Sequence, residues 1–189
     1  MKHFLTLFAF SAFSSMAFAA GPIADIYDGQ VKSVENDVVR LATKMPADKY
    51  NFAPNAPGEF KGVRTFALQV RHIATVIYQC SAAALGEKPP VDLGKTDNGP
   101  DTLKTKEQIL DYLKGAVAYA HKAAQNLNEK NQLDDMPNPF NPSGKMKRVA
   151  AMGVIGWHSF DHYGQMVVYA RMNGVIPGDA PAPAPAKKQ

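Results

Sequence analysis

The sequence predicts an all-α fold, a four-helix bundle of the up-down type with long connecting loops. Three observations predict it. Prolines fall in clusters that leave four proline-free segments, those segments carry apolar residues near the helical repeat, and none shows the period-2 alternation of a half-buried strand. The clusters are Pro46, Pro54 and Pro57; Pro89, Pro90 and Pro100; Pro137, Pro139 and Pro142; and Pro177, Pro181, Pro183 and Pro185. A proline inside a helix removes an N–H and clashes with the preceding turn, so helices are expected only between the clusters. The segments are 23–45, 58–88, 101–136 and 143–176. At 189 residues the chain is long enough for one domain with a real core.

Ahead of the first helix, Lys2 and His3 precede an apolar run from Phe4 to Phe18, and Ala17-Phe18-Ala19 has the small-x-small form read by signal peptidase. Residues 1–19 are therefore expected to be a cleavable signal peptide, too short and serine-broken for a membrane anchor. The mature chain is expected to be periplasmic or secreted, without stable membrane insertion. The first helix carries Ile26, Val31, Val34, Val38 and Leu41. The second carries Phe66, Val70, Ile73, Ile77 and Ala84 and stops near Gly86. The third has the clearest stripe, Leu110, Leu113, Val117, Ala120, Ala124 and Leu127. The fourth is expected to open with Ser143 as N-cap and to close at Asn173-Gly174. The bundle domain spans 22–176, and the Pro/Ala-rich tail 177–189 is expected to be extended and disordered. Connections 46–61 and 86–102 exceed the roughly 2–8 residues usual between bundle helices, so they are expected to cover one end of the bundle.

Charge and cysteine content exclude several classes. Twenty-one Lys and Arg against seventeen Asp and Glu give a net charge of only +4, scattered along the chain, so no nucleic-acid partner is expected. The single cysteine, Cys80, excludes an intramolecular disulfide and any CxxC motif; it reads as a small buried group.

Histidines carry the chemistry. His158 and His162 are four residues apart on the fourth helix, about 40° apart around its axis and one turn above each other. Both can meet one metal ion. Catalytic zinc takes about three protein ligands and leaves a position for water, and the third candidate is His72 on or beside the apolar face of the second helix. Ser159 stands where a zincin requires glutamate, so that mechanism is excluded. Asp161 reads either as an outer partner or general base, or as a solvated surface aspartate. Gln165, seven residues after His158, lies on the same stripe. From spacing alone, two core-facing histidines with no metal remain an equal alternative. His121, in the third helix's stripe, reads as a hydrogen-bonded core histidine and not as a fourth ligand. Trp157 is expected between helices, and Met146, Met152, Met166 and Met172 as core fillers.

The residues around the pair tip the balance. His158 to Pro177 reads His-Ser-Phe-Asp-His-Tyr-Gly-Gln-Met-Val-Val-Tyr-Ala-Arg-Met-Asn-Gly-Val-Ile-Pro. It resembles the terminal motif of the DinB (DinB/YfiT-like) family, roughly H-x-x-x-H-x-G-Q-x-x-x-Y-x-R-x-x-G-x-x-P. Upstream, Met45 to Phe52, then Phe66 and Arg71-His72-Ile73, look like that family's first loop and first-histidine helix. The resemblance covers about residues 23–177. It implies a four-helix bundle holding a divalent metal, zinc or nickel, through His72, His158 and His162, with Tyr163, Gly164, Gln165, Tyr169 and Arg171 matching the motif without being ligands.

Such a site acts as a Lewis acid on water, and the resemblance adds metal-activated thiol chemistry, which export disfavours. Two functions follow: a metal-dependent hydrolase- or transferase-like enzyme acting on an unidentified small molecule, or a non-catalytic metal-binding or stress-associated bundle. Self-association as a homodimer stays open. An ordinary histidine pKa near 6.5 places loss of the metal below about pH 6.

Overall fold

The structure is a computed structural model that describes residues 21–54 and 61–178. The expected signal peptide lies outside the described residues, as does the tail beyond Gly178.

Pro22 sits in the first turn of α1 (Pro22–Val34), where its missing N–H is not needed. A π-helical segment, Glu35–Val39, joins α1 to α2 (Arg40–Lys44), and together they form one rod. Val31, Val34, Val38 and Leu41 are all buried, whereas Ile26 faces solvent and Ala24 packs inward. Met45 is extended ahead of Pro46, which ends the rod. Lys106 closes that end by donating to the carbonyls of Thr43 and Met45, both at 2.7 Å.

The second helix, α3 (Phe66–Leu85), is capped by the Thr65 hydroxyl, which accepts from the Leu68 N–H, and ends at Gly86, with φ of 71°. In α4 (Lys106–Gln125), Thr105 and Gln108 form a reciprocal capping box. The last helix is α5 (Arg148–Met172), followed by Gly174 with φ of 75°. The rod and α3 each pack principally against α4 and α5, so they occupy opposite corners of the bundle. The core runs between them through Phe66, Ile73, Ile77, Leu113, Met152, Ile155 and Met166, all fully buried. The chain is a mostly helical bundle, as its sequence predicts.

Two local expectations fail together. The stretch before α5 forms an antiparallel hairpin, β1 (Asp135–Asn138) with β2 (Asn141–Lys147), although no strand was expected. Only Met136 of β1 is buried, too little for an alternation to register, and its proline is tolerated because a two-stranded ladder leaves both outer edges free. Ser143 consequently lies in β2 and does not cap the fourth helix. The N-terminal donors of α5 find main-chain partners instead, Arg148 N–H to the Asp134 carbonyl and Val149 N–H to that of Gln132, both at 3.0 Å. Among the described residues no helix is long and apolar enough to cross a membrane.

Candidate metal centre

Helices α3 and α5 run antiparallel where they meet, and their polar residues pair in reverse order. His72 meets His158, while Gln69, one turn earlier on α3, meets His162 and Gln165, later on α5. The i, i+3 spacing on one helix and the i, i+4, i+7 spacing on the other place all five side chains on facing stripes. The ligand-capable nitrogens of His72, His158 and His162 all lie within 4.8 Å of one another. Nε2 of His72 and Nε2 of His158 are 3.1 Å apart. A tetrahedral ion with bonds of about 2.0–2.1 Å holds its nitrogens roughly 3.3 Å apart, so the spacing fits a shared ion after small rotations.

Hydrogen bonds settle which nitrogens are free. His72 Nδ1 lies 2.6 Å from the main-chain carbonyl of Asp97, an acceptor only, so it carries the proton and Nε2 carries the lone pair. His162 Nδ1 lies 2.6 Å from Oε1 of Gln69, leaving its Nε2 for the centre. The Nδ1 of His158 is buried without a partner. Three imidazoles, two oriented by acceptors behind them, suit a divalent transition metal.

Burial keeps these rings neutral. It pushes the His72 imidazole below its ordinary value, against the opposing pull of the Asp97 carbonyl. It lowers His158 and His162 to about 4, and the neighbouring histidines push further in the same direction. Neutral rings offer lone pairs to a metal. The expectation of acid release below about pH 6 rested on free-histidine values and moves lower in this environment.

The long connection 86–105 supplies the outer wall. Arg71 of α3 donates to the Gly99 carbonyl and to Asp101 Oδ1, both at 2.9 Å, and Arg64 donates to Asn98 and Asp97 at 2.6 and 2.8 Å. These contacts hold the Asp97 carbonyl against His72.

The remaining candidates separate clearly. Asp161 is exposed, and its carboxylate favours the charged forms of His158 and His162 through space. Gln165 is exposed but reaches the cluster through Gln69. His121 is only half-buried and bonds Asp28 at 2.7 Å, away from the centre, so it is hydrogen-bonded as expected but not in the core. Cys80 is fully buried, and burial raises its thiol to about 12. Met152 and Met166 fill the core, whereas Met172 is exposed. Trp157 is 64% exposed, with its ring edge-on to His158, rather than packed between helices. Gln69, 1% exposed, escaped the sequence reading because a glutamine among apolar residues gives no signal until its distant partners are known.

The sequence profile of the DinB superfamily matches residues 30–166. Among solved structures, a DinB-like protein from Bacillus subtilis is 19% identical, with a TM-score of 0.56, covering 79% of this chain and 92% of that one. A conserved protein from Enterococcus faecalis is 16% identical, with a TM-score of 0.61, covering 81% and 98%. A DinB-like protein from Bacillus cereus is 17% identical, with a TM-score of 0.60, covering 84% and 95%. No curated protein matches the sequence.

Proposed function

Because the chain belongs to the DinB superfamily and brings three neutral imidazoles to one point, we propose that it is an exported, divalent-metal-dependent enzyme with His72, His158 and His162 as ligands. The convergence of the three rings carries the reading, since one nitrogen of each lies within 4.8 Å of the other two, close enough for a single ion to take all three. Zinc or nickel suits three imidazoles. When bound, the ion supplies Lewis acidity for attack on a small-molecule substrate by water or a thiol, a hydrolase- or transferase-like reaction. The protein's part is positional. Asp97 and Gln69 hold protons on the far nitrogens of His72 and His162, which keeps the near nitrogens bare. His158 is less buried than the other two and marks the side from which substrate approaches, with Trp157 and Asp161 beside it. Asp161 is the candidate proton acceptor there. The exported location favours water over a low-molecular-weight thiol.

Elemental analysis of protein purified without chelator or affinity tag tests the ligand set. A single divalent ion is expected in the wild type, mostly lost in each of His72→Ala, His158→Ala and His162→Ala and kept in His121→Ala. A metal-free wild type whose melting temperature ignores added zinc, nickel, manganese and iron would refute the reading.

One observation favours a second reading, in which the metal only ties α3 to α5. His72 and His162 are 6% and 7% exposed, and a surface cavity of about 220 Å³, lined by Asp37, Arg40, Tyr163 and others, includes none of the three histidines. Water proton relaxation on nickel-loaded protein separates the two. Rapidly exchanging water at the ion supports the enzyme; a closed coordination shell supports the tie.

A further inference from the structure

We propose that Gln69 and Gln165 form a polarised amide relay that sets the tautomer of His162, with Gln69 as the positioning residue; its consequence for metal binding rests on the ligand set proposed above. Gln69 is 1% exposed and both ends of its amide are engaged: Oε1 lies 2.6 Å from His162 Nδ1, and Nε2 donates to Gln165 Oε1 at 2.9 Å. A primary amide has one accepting and one donating end, so its two contacts are not independent. If the oxygen faces His162, the ring's proton sits on Nδ1 and the lone pair on Nε2 points toward His72 and His158. If the amide turns over, its NH2 faces the ring, Nδ1 must become the acceptor, and the proton moves to Nε2, where it blocks a metal. The amide alone does not choose between these states. Gln165 couples to the choice: in this structure its carbonyl oxygen accepts from Gln69 and supports the first state, and Gln69 can reach the second only if the Gln165 amide turns over with it.

The device differs from the support behind His72, where a main-chain carbonyl with no donating alternative does the same work. A carbonyl cannot turn over; the Gln69 amide can, but only together with the amide of Gln165. Gln165 lies on α5 three residues beyond His162, so the relay leaves α5, crosses to α3 at Gln69 and returns to α5 at the ligand itself.

The test combines long-range 1H–15N NMR of the histidines in zinc-free protein with zinc affinity measured by chelator competition. The wild type is expected to carry the His162 proton on Nδ1. Gln69→Met, of similar size but without an acceptor, should move it to Nε2 and weaken zinc binding about 10–100-fold. Gln69→Glu keeps an acceptor and should restore both. Because Gln69 is buried, Gln165→Lys at its exposed neighbour provides a route that does not disturb the core. It offers only a donor, turns the Gln69 oxygen away and should shift the same proton, whereas Gln165→Glu should not. An Nδ1 proton that persists in Gln69→Met or Gln165→Lys overturns the relay. If the wild type binds no zinc, the ligand reading fails, and the NMR still decides the relay by itself.

Discussion

His158 and His162 hold protons poorly because burial strips water from the charged imidazolium, and their pKa values of about 4 therefore lie below the ordinary 6.5. The consequence for stability has a definite sign. Between those values the unfolded chain binds protons that the folded chain does not, so stability rises with pH across the window. Metal-free protein should keep the full contribution above about pH 6.5 and lose it progressively as pH falls toward about 4. Urea titrations at several pH values check this, and the double variant His158→Gln, His162→Gln should show a flatter profile over the same range. An equally steep profile in the double variant would locate the effect elsewhere. At this scale the histidines were legible, since i, i+4 spacing is local geometry. The roles of Gln69 and of the Asp97 carbonyl were not, because their partners lie 93 and 25 residues away in the chain.

The loop 86–105 and the hairpin before α5 are the elements that sequence periodicity read least well, and the loop walls the site. Gly99 shows why the loop is where it is. Its φ of 74° is left-handed, and a Cβ there would lie 2.8 Å from the Thr75 hydroxyl oxygen of α3. Only glycine lets the main chain come close enough for its carbonyl to accept from Arg71 and for the nearby Asp97 carbonyl to reach His72. Gly99→Ala should therefore cost about 1–2 kcal/mol from the backbone conformation alone. It should also weaken zinc binding, read by a thermal melt and by chelator competition on the same sample. If the melt shifts while affinity does not, the loop wall does not orient His72. The hairpin eluded the periodicity because a four-residue strand with one buried side chain has no period to detect. The N-terminus of α5 was misplaced for a related reason: its donors are satisfied by carbonyls of residues 132 and 134, not by a local serine.

For the whole molecule, the apolar stripes alone should sustain the bundle. The fully buried core contains none of the three histidines, so chelator-treated protein should keep its helical circular dichroism. An ion bound only by the native state stabilises it by mass action, about 2.7 kcal/mol at a hundred times Kd. For a domain of this size each kcal/mol moves Tm by roughly 2–4 °C, so saturating zinc should raise the melting temperature by several degrees. Zinc that instead restored lost helicity would mean that the metal builds the fold and does not merely occupy it. The sequence by itself determined the helical class, the stripes that make the core and the pair on α5, because helical period and proline placement are short-range properties of the chain. Tertiary structure alone decided that α3 and α5 meet antiparallel, in the register that sets the expected third histidine, His72, against His158, and that Gln69 falls behind His162. Those facts depend on how two faces, some ninety residues apart, dock against each other, and no local pattern encodes the register of that docking.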